Sequence, residues 1–245
     1  TWNRSRRCSN VGRAGVIIQT MCGRFYLNAP DELVLSYFGL DQGIHLQPRY
    51  NIAPSQDVAI VRAAVQAREL AYLRWGLVPA WSREEKTRYS MINARADTIA
   101  DKPSYREPFR KRRCLVPASG FYEWRKMSHG KQPYRIGRAD NGIMALAGLW
   151  EHWEGEGKSV DSCSIIVTEA NDCIRPVHDR MPVILDPDQF DAWLNPDNGD
   201  AETLKAMLQP YPGEAMSYWP VSTMVNSPAN DDPRNIQPVD ITAIN

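Results

Sequence analysis

Met144-Ala-Leu-Ala147 and Ser164-Ile-Ile-Val-Thr168 decide the fold class of this chain. Both are short apolar runs, the pattern of strands rather than of long amphipathic helices. Val58-Ala-Ile-Val61, Leu70-Ala-Tyr-Leu73 and Cys114-Leu-Val-Pro117 repeat it. Eighteen prolines and fifteen glycines supply the turns between short elements. Helical signals are fewer. Asp31 to Phe38 follows Pro30 with acids in its first turn, Gln189 to Leu194 follows Asp186-Pro187-Asp188, and Ala201 to Leu208 follows Gly199-Asp200. The expectation is a single α+β domain built on mainly antiparallel sheet, barrel-like, with a few short peripheral helices. It spans 21–228, after an N-terminal extension (1–20) and before a loose, Asn/Asp/Pro-rich C-terminal tail (229–245).

The chain's 245 residues suffice for a substantial core. No apolar run approaches the ~18 residues of a membrane-spanning helix. Net charge is zero, but unevenly spread. Residues 1–20 carry four arginines and no acid, residues 21–185 carry 23 basic and 19 acidic side chains, and residues 186–245 carry 2 and 10. Such a body presents at most a local groove for phosphates. Five cysteines, at 8, 22, 114, 163 and 173, include no CxxC pair. That argues against a zinc site or disulfide framework and for a reducing, cytoplasmic setting, with no metal or cofactor. The chain opens Thr-Trp-Asn, and Met21 is its first methionine. Residues 1–20 are therefore expected to be disordered or absent from the working protein.

Six segments carry chemistry: Met21-Cys-Gly-Arg-Phe25, Pro48-Arg-Tyr-Asn-Ile-Ala-Pro54, Arg74-Trp-Gly-Leu-Val-Pro-Ala-Trp81, Ile92-Asn-Ala-Arg-Ala-Asp97, Gly120-Phe-Tyr-Glu-Trp124 and Val177-His-Asp-Arg-Met-Pro182. In this order they resemble the SOS-response-associated peptidase (SRAP) family, also called abasic-site processing proteins. The resemblance covers roughly 21–228. It implies that Cys22, exposed by removal of Met21, forms a thiazolidine with the ring-opened aldehyde of an abasic site in single-stranded DNA. It places the other catalytic positions at Asn93, Glu123 and His178, and suggests phosphate contacts from Arg24 and Arg95.

The residues have a chemistry of their own. An internal cysteine gives an aldehyde only a labile hemithioacetal, because its nitrogen is an amide. An N-terminal cysteine offers amine and thiol on adjacent carbons, so an imine forms and the thiol closes a five-membered ring. Closure is intramolecular, which supplies up to ~7–11 kcal/mol of advantage in favourable cases. Glu123, among Phe121, Tyr122 and Trp124, is a candidate proton carrier if desolvated; it also reads as an outward-facing residue on an alternating strand. His178 is a candidate proton shuttle or a structural histidine beside Asp179. Asn93 offers a neutral donor and acceptor. Arg24 and Arg95 suit phosphate or an internal ion pair. Arg110-Lys-Arg-Arg113 is the densest basic run, flanking a DNA path or forming a solvated turn. Trp75 and Trp81 are the aromatics chosen for stacking on bases.

Three functions follow. The first is a covalent trap of abasic sites in single-stranded DNA, acting as a monomer, with weak lyase activity through its reversible imine. The second is a cysteine peptidase pairing Cys22 with His178, acting at least on its own N-terminal segment. The third is a non-catalytic single-stranded DNA-binding module. A peptidase needs the thiol of Cys22 but not its free amine, the trap needs both, and the module needs neither.

Overall fold

The structure, a computed structural model, describes residues 6–7, 22–41, 45–65, 67–85, 91–128 and 130–241. In chain order its elements are β1 (Arg6–Arg7), β2 (Phe25–Leu27), α1 (Asp31–Phe38), β3 (Arg49–Ile52), β4 (Asp57–Ala63), β5 (Arg68–Trp75), β6 (Asn93–Arg95), α2 (Arg106–Lys111), β7 (Arg113–Ala118), β8 (Gly120–Met127), β9 (Gly130–Arg138), β10 (Met144–Gly155), β11 (Lys158–Glu169), β12 (Arg180–Pro182), β13 (Ile184–Leu185), α3 (Phe190–Leu194), α4 (Ala201–Ala206) and β14 (Met216–Pro220). The five apolar runs lie in β4, β5, β7, β10 and β11, and the three helical signals in α1, α3 and α4.

Two sheets organise these strands. One runs β1-β14-β9-β8-β2-β3, all antiparallel. In the other, β11 pairs with both β5 and β10, which closes the path β11-β5-β4-β7-β10 into a ring. The expected α+β class with mainly antiparallel sheet is thus the one observed. Among the described residues, parallel pairing is confined to β11 with β5 and with β6. Every residue of β7 and the first six of β10 are buried. These strands are covered on both faces, so their sequences read as continuous apolar runs without alternation.

Ser119 separates β7 from β8, so the chain crosses there from the ring to the second sheet. The crossing is tight. A Cβ on Gly120 would lie 2.4 Å from the Tyr26 ring, so only glycine lets β8 approach β2 here. On the face of this sheet away from the ring, Tyr26, Tyr122, Val221 and Val225 form a second small core with Trp124, Trp219 and Ile236. Arg135 joins it, its Nε donating to the Tyr26 hydroxyl at 2.6 Å and its guanidinium 4.1 Å from the Trp219 ring centre.

That second core corrects the expectation of a loose tail. Residues 229–241 are held against the body. The Asn51 amide donates to the carbonyls of Val225, Ser227 and Asn230. Asp231 accepts from Arg49 and from the Tyr50 backbone. Trp219 donates to Ile236 O, and Val221 bridges to Pro238. Of residues 1–20 only Arg6 and Arg7 are described, paired with Tyr218 and Ser217; the rest of that expectation lies outside the described residues. Cys22, Cys114 and Cys163 are free thiols.

Candidate functional site

Cys22 precedes β2, and the ladder between β2 and β8 continues past Phe25 through the bond from Tyr122 N to Arg24 O. That antiparallel register brings the Cys22–Gly23 segment across from Glu123. Along β8, Phe121 and Glu123 share one face while Tyr122 and Trp124 take the other, where the second core lies. Glu123 is therefore turned inward, and only 2% of it is exposed.

Asn93 comes from the opposite side, on β6, which β11 holds through the register Ile165↔Asn93 and Val167↔Arg95. Its Nδ2 donates to Cys22 O at 2.9 Å, tying the two segments together. His178 ends the turn that leads into β12, its own amide bonded to Ile174 O. Its Nε2 lies 3.8 Å from Glu123 Oε2, longer than a hydrogen bond. Cys22, Asn93, Glu123 and His178, spread over more than 150 positions of sequence, thus meet in one place.

The protonation states follow from burial. Desolvation pushes the Glu123 carboxyl up to about 8, partly offset by hydrogen bonding from the Cys22 thiol and the Trp124 amide. Burial, with the charge of Glu123 beside it, also raises the Cys22 thiol well above its ordinary value. His178 is pushed down by desolvation. Two groups compete for its Nδ1: the Arg180 amide at 3.1 Å and the Asp179 carboxylate at 3.2 Å. The amide can only donate, so in the neutral ring Nδ1 accepts and the proton sits on Nε2, facing Glu123. Asp179 is half-exposed and solvent weakens its pull. Near neutral pH the site therefore holds a mostly protonated carboxyl, a neutral imidazole and a thiol.

Asn93 Oδ1, Glu123 Oε1 and His178 Nε2 are all buried and have no hydrogen-bond partner among the described residues. Buried polar atoms are normally satisfied, since leaving one bare costs ~1–3 kcal/mol. All three belong to side chains that meet at Cys22.

The remaining sequence candidates divide. Arg95 lies on the same strand face as Asn93, half-exposed, with a two-point ion pair to Asp97 at 2.6 and 3.2 Å. Arg180 stands 4.0 Å from the same carboxylate, whose acidity the two guanidiniums increase, Arg95 the more. Trp81 is 65% exposed and free to stack. Trp75 is not. It is 1% exposed, packs edge-on against Phe25 and donates its indole N–H to Ile92 O, so no ring face is open to a base. Arg24 is occupied internally: Nη1 donates to Asn51 Oδ1 at 2.8 Å and to Val225 O at 2.7 Å, and the group lies over Trp124. The basic run divides too, with Arg110 and Lys111 exposed. Arg113 is buried within a cage of carbonyls from Phe109, Arg110, Trp193, Asn195 and Asn198, Arg112 pairs with Glu151, and Arg110 pairs with Glu107. Sequence reasoning missed Arg180, a bystander within a recognised segment, and Tyr105, whose hydroxyl donates to Asn93 O at 2.9 Å from outside all six segments.

The family model for the SOS response associated peptidase (SRAP) matches residues 21–228. Abasic site processing protein YoqW of Bacillus subtilis (strain 168) is 42% identical over 222 residues, which cover 89% of this chain and 99% of the relative. Abasic site processing protein HMCES of Gallus gallus is 35% identical over 228 residues, covering 80% of this chain and 67% of the relative. A crystal structure of a protein from Bacteroides thetaiotaomicron superposes with a TM-score of 0.80 at 31% identity, covering 89% of this chain and all of the other.

Proposed function

The chain belongs to the SOS response associated peptidase (SRAP) family, and from that premise we propose that it traps abasic sites in single-stranded DNA by a thiazolidine bond through Cys22. The abasic-site processing of its relatives supports a role in DNA damage handling. The observation that carries the reading is the set of three bare polar atoms around Cys22. The reading has the protein acting as a monomer inside the cell, with Cys22 as its first residue.

The step balances without a co-reactant. The free amine of Cys22 adds to the C1′ aldehyde of the ring-opened sugar, and the carbinolamine loses its oxygen as water to leave an imine. At that stage the nitrogen keeps its one proton, as an iminium, and the thiol then adds to its carbon and gives up the sulfur proton. Glu123, protonated near neutral pH, supplies the proton that releases water, and its carboxylate then receives the thiol proton. That return matters because burial holds Cys22 as a thiol. His178 Nε2–H steadies the departing oxygen. Asn93 keeps the Cys22 main chain in place with Nδ2 and orients the sugar with Oδ1. Arg95 and Trp81 receive the flanking phosphate and base.

A peptidase pair would need a thiolate beside an imidazolium. Burial drives these two groups the other way, the thiol up and the imidazole down. The test uses three proteins: one beginning at Cys22, its Cys22→Ala variant, and the chain retaining residues 1–20. Each is mixed with a single-stranded oligonucleotide bearing one abasic site and run on a denaturing gel. A heat-stable band from the Cys22-first form alone is expected. Intact DNA binding without a band from any form would leave a non-covalent binding module, and a band from the uncleaved chain would remove the need for a free amine.

A further inference from the structure

We infer that Trp75 is a positioning residue for the covalent step, locking the Cys22 segment and Asn93 into one frame; this rests on the function proposed above. The residue touches both halves of the site. Its ring packs edge-on against Phe25, at 5.2 Å between centres and 67° between planes, and Phe25 begins the strand that Cys22 leads into. Its indole N–H donates at 2.9 Å to Ile92 O, the carbonyl immediately before Asn93.

The ring itself is held firmly. Trp75 N donates to Gln56 O at 2.9 Å, and its carbonyl accepts from Ser55 N at 2.8 Å. The register Cys163↔Trp75 fixes its height against β11, the same strand that carries β6. β6 is only three residues long and has one strand neighbour among the described residues. Ile165 N and the indole both donate to Ile92 O, and Tyr105 adds a bond to Asn93 O. Without the indole donor, Ile92 O keeps, among the described residues, only the Ile165 amide, and the Asn93 backbone loses its one tie to the element that packs on Phe25, so the alignment of Nδ2 with Cys22 O loosens. A displacement of about an ångström in a reacting group costs on the order of 100-fold in rate.

Trp75→Phe keeps an aromatic ring against Phe25 and removes the donor. With the Cys22-first protein at saturating abasic DNA, crosslinking is expected to slow about 10- to 100-fold, while non-covalent affinity for intact DNA stays within about twofold. In an Asn93→Ala background the same substitution should add nothing, because its effect passes through Asn93. The Asn93 side-chain amide gives a second readout that needs no activity: in nitrogen-15 NMR its exchange with water should accelerate in Trp75→Phe. Should that variant fail to fold, Tyr105→Phe removes the neighbouring donor and is held to the same criteria. Unchanged rate and unchanged amide protection would overturn the inference, as would a slowing that persists in full with Asn93→Ala. If the unaltered protein forms no crosslink, the function proposed above fails, and the amide exchange alone decides for or against Trp75.

Discussion

Glu123 shows how strongly one residue's surroundings set its chemistry. Its carboxyl is raised from 4.5 to about 8, chiefly by burial, so the folded protein holds a proton there that the unfolded chain releases above pH ~4.5. Between these values the unfolded state binds fewer protons, and stability must fall as pH rises. Below about 4.5 both states are protonated and nothing is lost; above about 8 the loss is complete. Glu123→Gln removes the titration. The variant should match the wild type near pH 4.5 and exceed it increasingly up to pH 8. A tenfold change in the proton equilibrium is worth about 1.4 kcal/mol, so the gap reaches on the order of 3–5 kcal/mol. Melting temperatures of the two proteins across that range decide it, and a gap that stays constant with pH would mean Glu123 is ionised in the fold. Sequence could not supply this property. Alternation along Phe121-Tyr122-Glu123-Trp124 fixes that Glu123 opposes Tyr122, but not which face is covered. Over Gly120–Glu123 both faces of β8 prove to be covered, one by the ring and one by the second core.

At the scale of elements, legibility followed how local the cause was. α1 runs from Asp31 to Phe38 as its sequence indicates, with acids at its start and a left-handed Gly39 at its end. The strands buried on both faces were legible from composition alone. The tail reads as loose because Asn, Asp and Pro suggest open chain, whereas here they are the fasteners: Asp232 caps a short 3-10 turn, and Asn235 is fully buried. The basic run is divided: Arg110 and Lys111 are solvated, as a surface run would be, whereas Arg113 satisfies carbonyls left by α2 and α3. Asn51 is the strongest fastener, one side-chain nitrogen serving three carbonyls while its oxygen receives Arg24. Asn51→Ala leaves those carbonyls and the Arg24 guanidinium short of partners. It should cost about 1–3 kcal/mol in denaturant unfolding, with faster hydrogen exchange at the Ser227 and Asn230 amides, which close the turns it holds. Exchange unchanged at those two amides would show that the second core secures the tail without Asn51.

For the whole molecule the governing fact is a net charge of zero. Most arginines of the described residues are spent on internal partners, and near the site Arg95 and Arg180 share the single carboxylate of Asp97. A phosphate that reaches this edge must take Asp97's place, so few counterions are displaced per DNA bound. For single strands the logarithm of affinity falls with the logarithm of salt at about 0.7 per neutralised phosphate. Two or three such contacts give a slope between about −1.4 and −2.1, far shallower than that of a protein coated in positive charge. Binding of Cys22→Ala to single-stranded DNA, measured by anisotropy over a tenfold range of salt, reads this without interference from crosslinking. Asp97→Asn should tighten binding at low salt by freeing both guanidiniums. Trp81→Ala should weaken it by about 1–3 kcal/mol equally at every salt concentration, because stacking displaces no counterions. A steep slope in the unaltered protein, or a Trp81 effect that fades with added salt, would place the DNA on a basic surface elsewhere and away from the edge that Asn93 and Arg95 share.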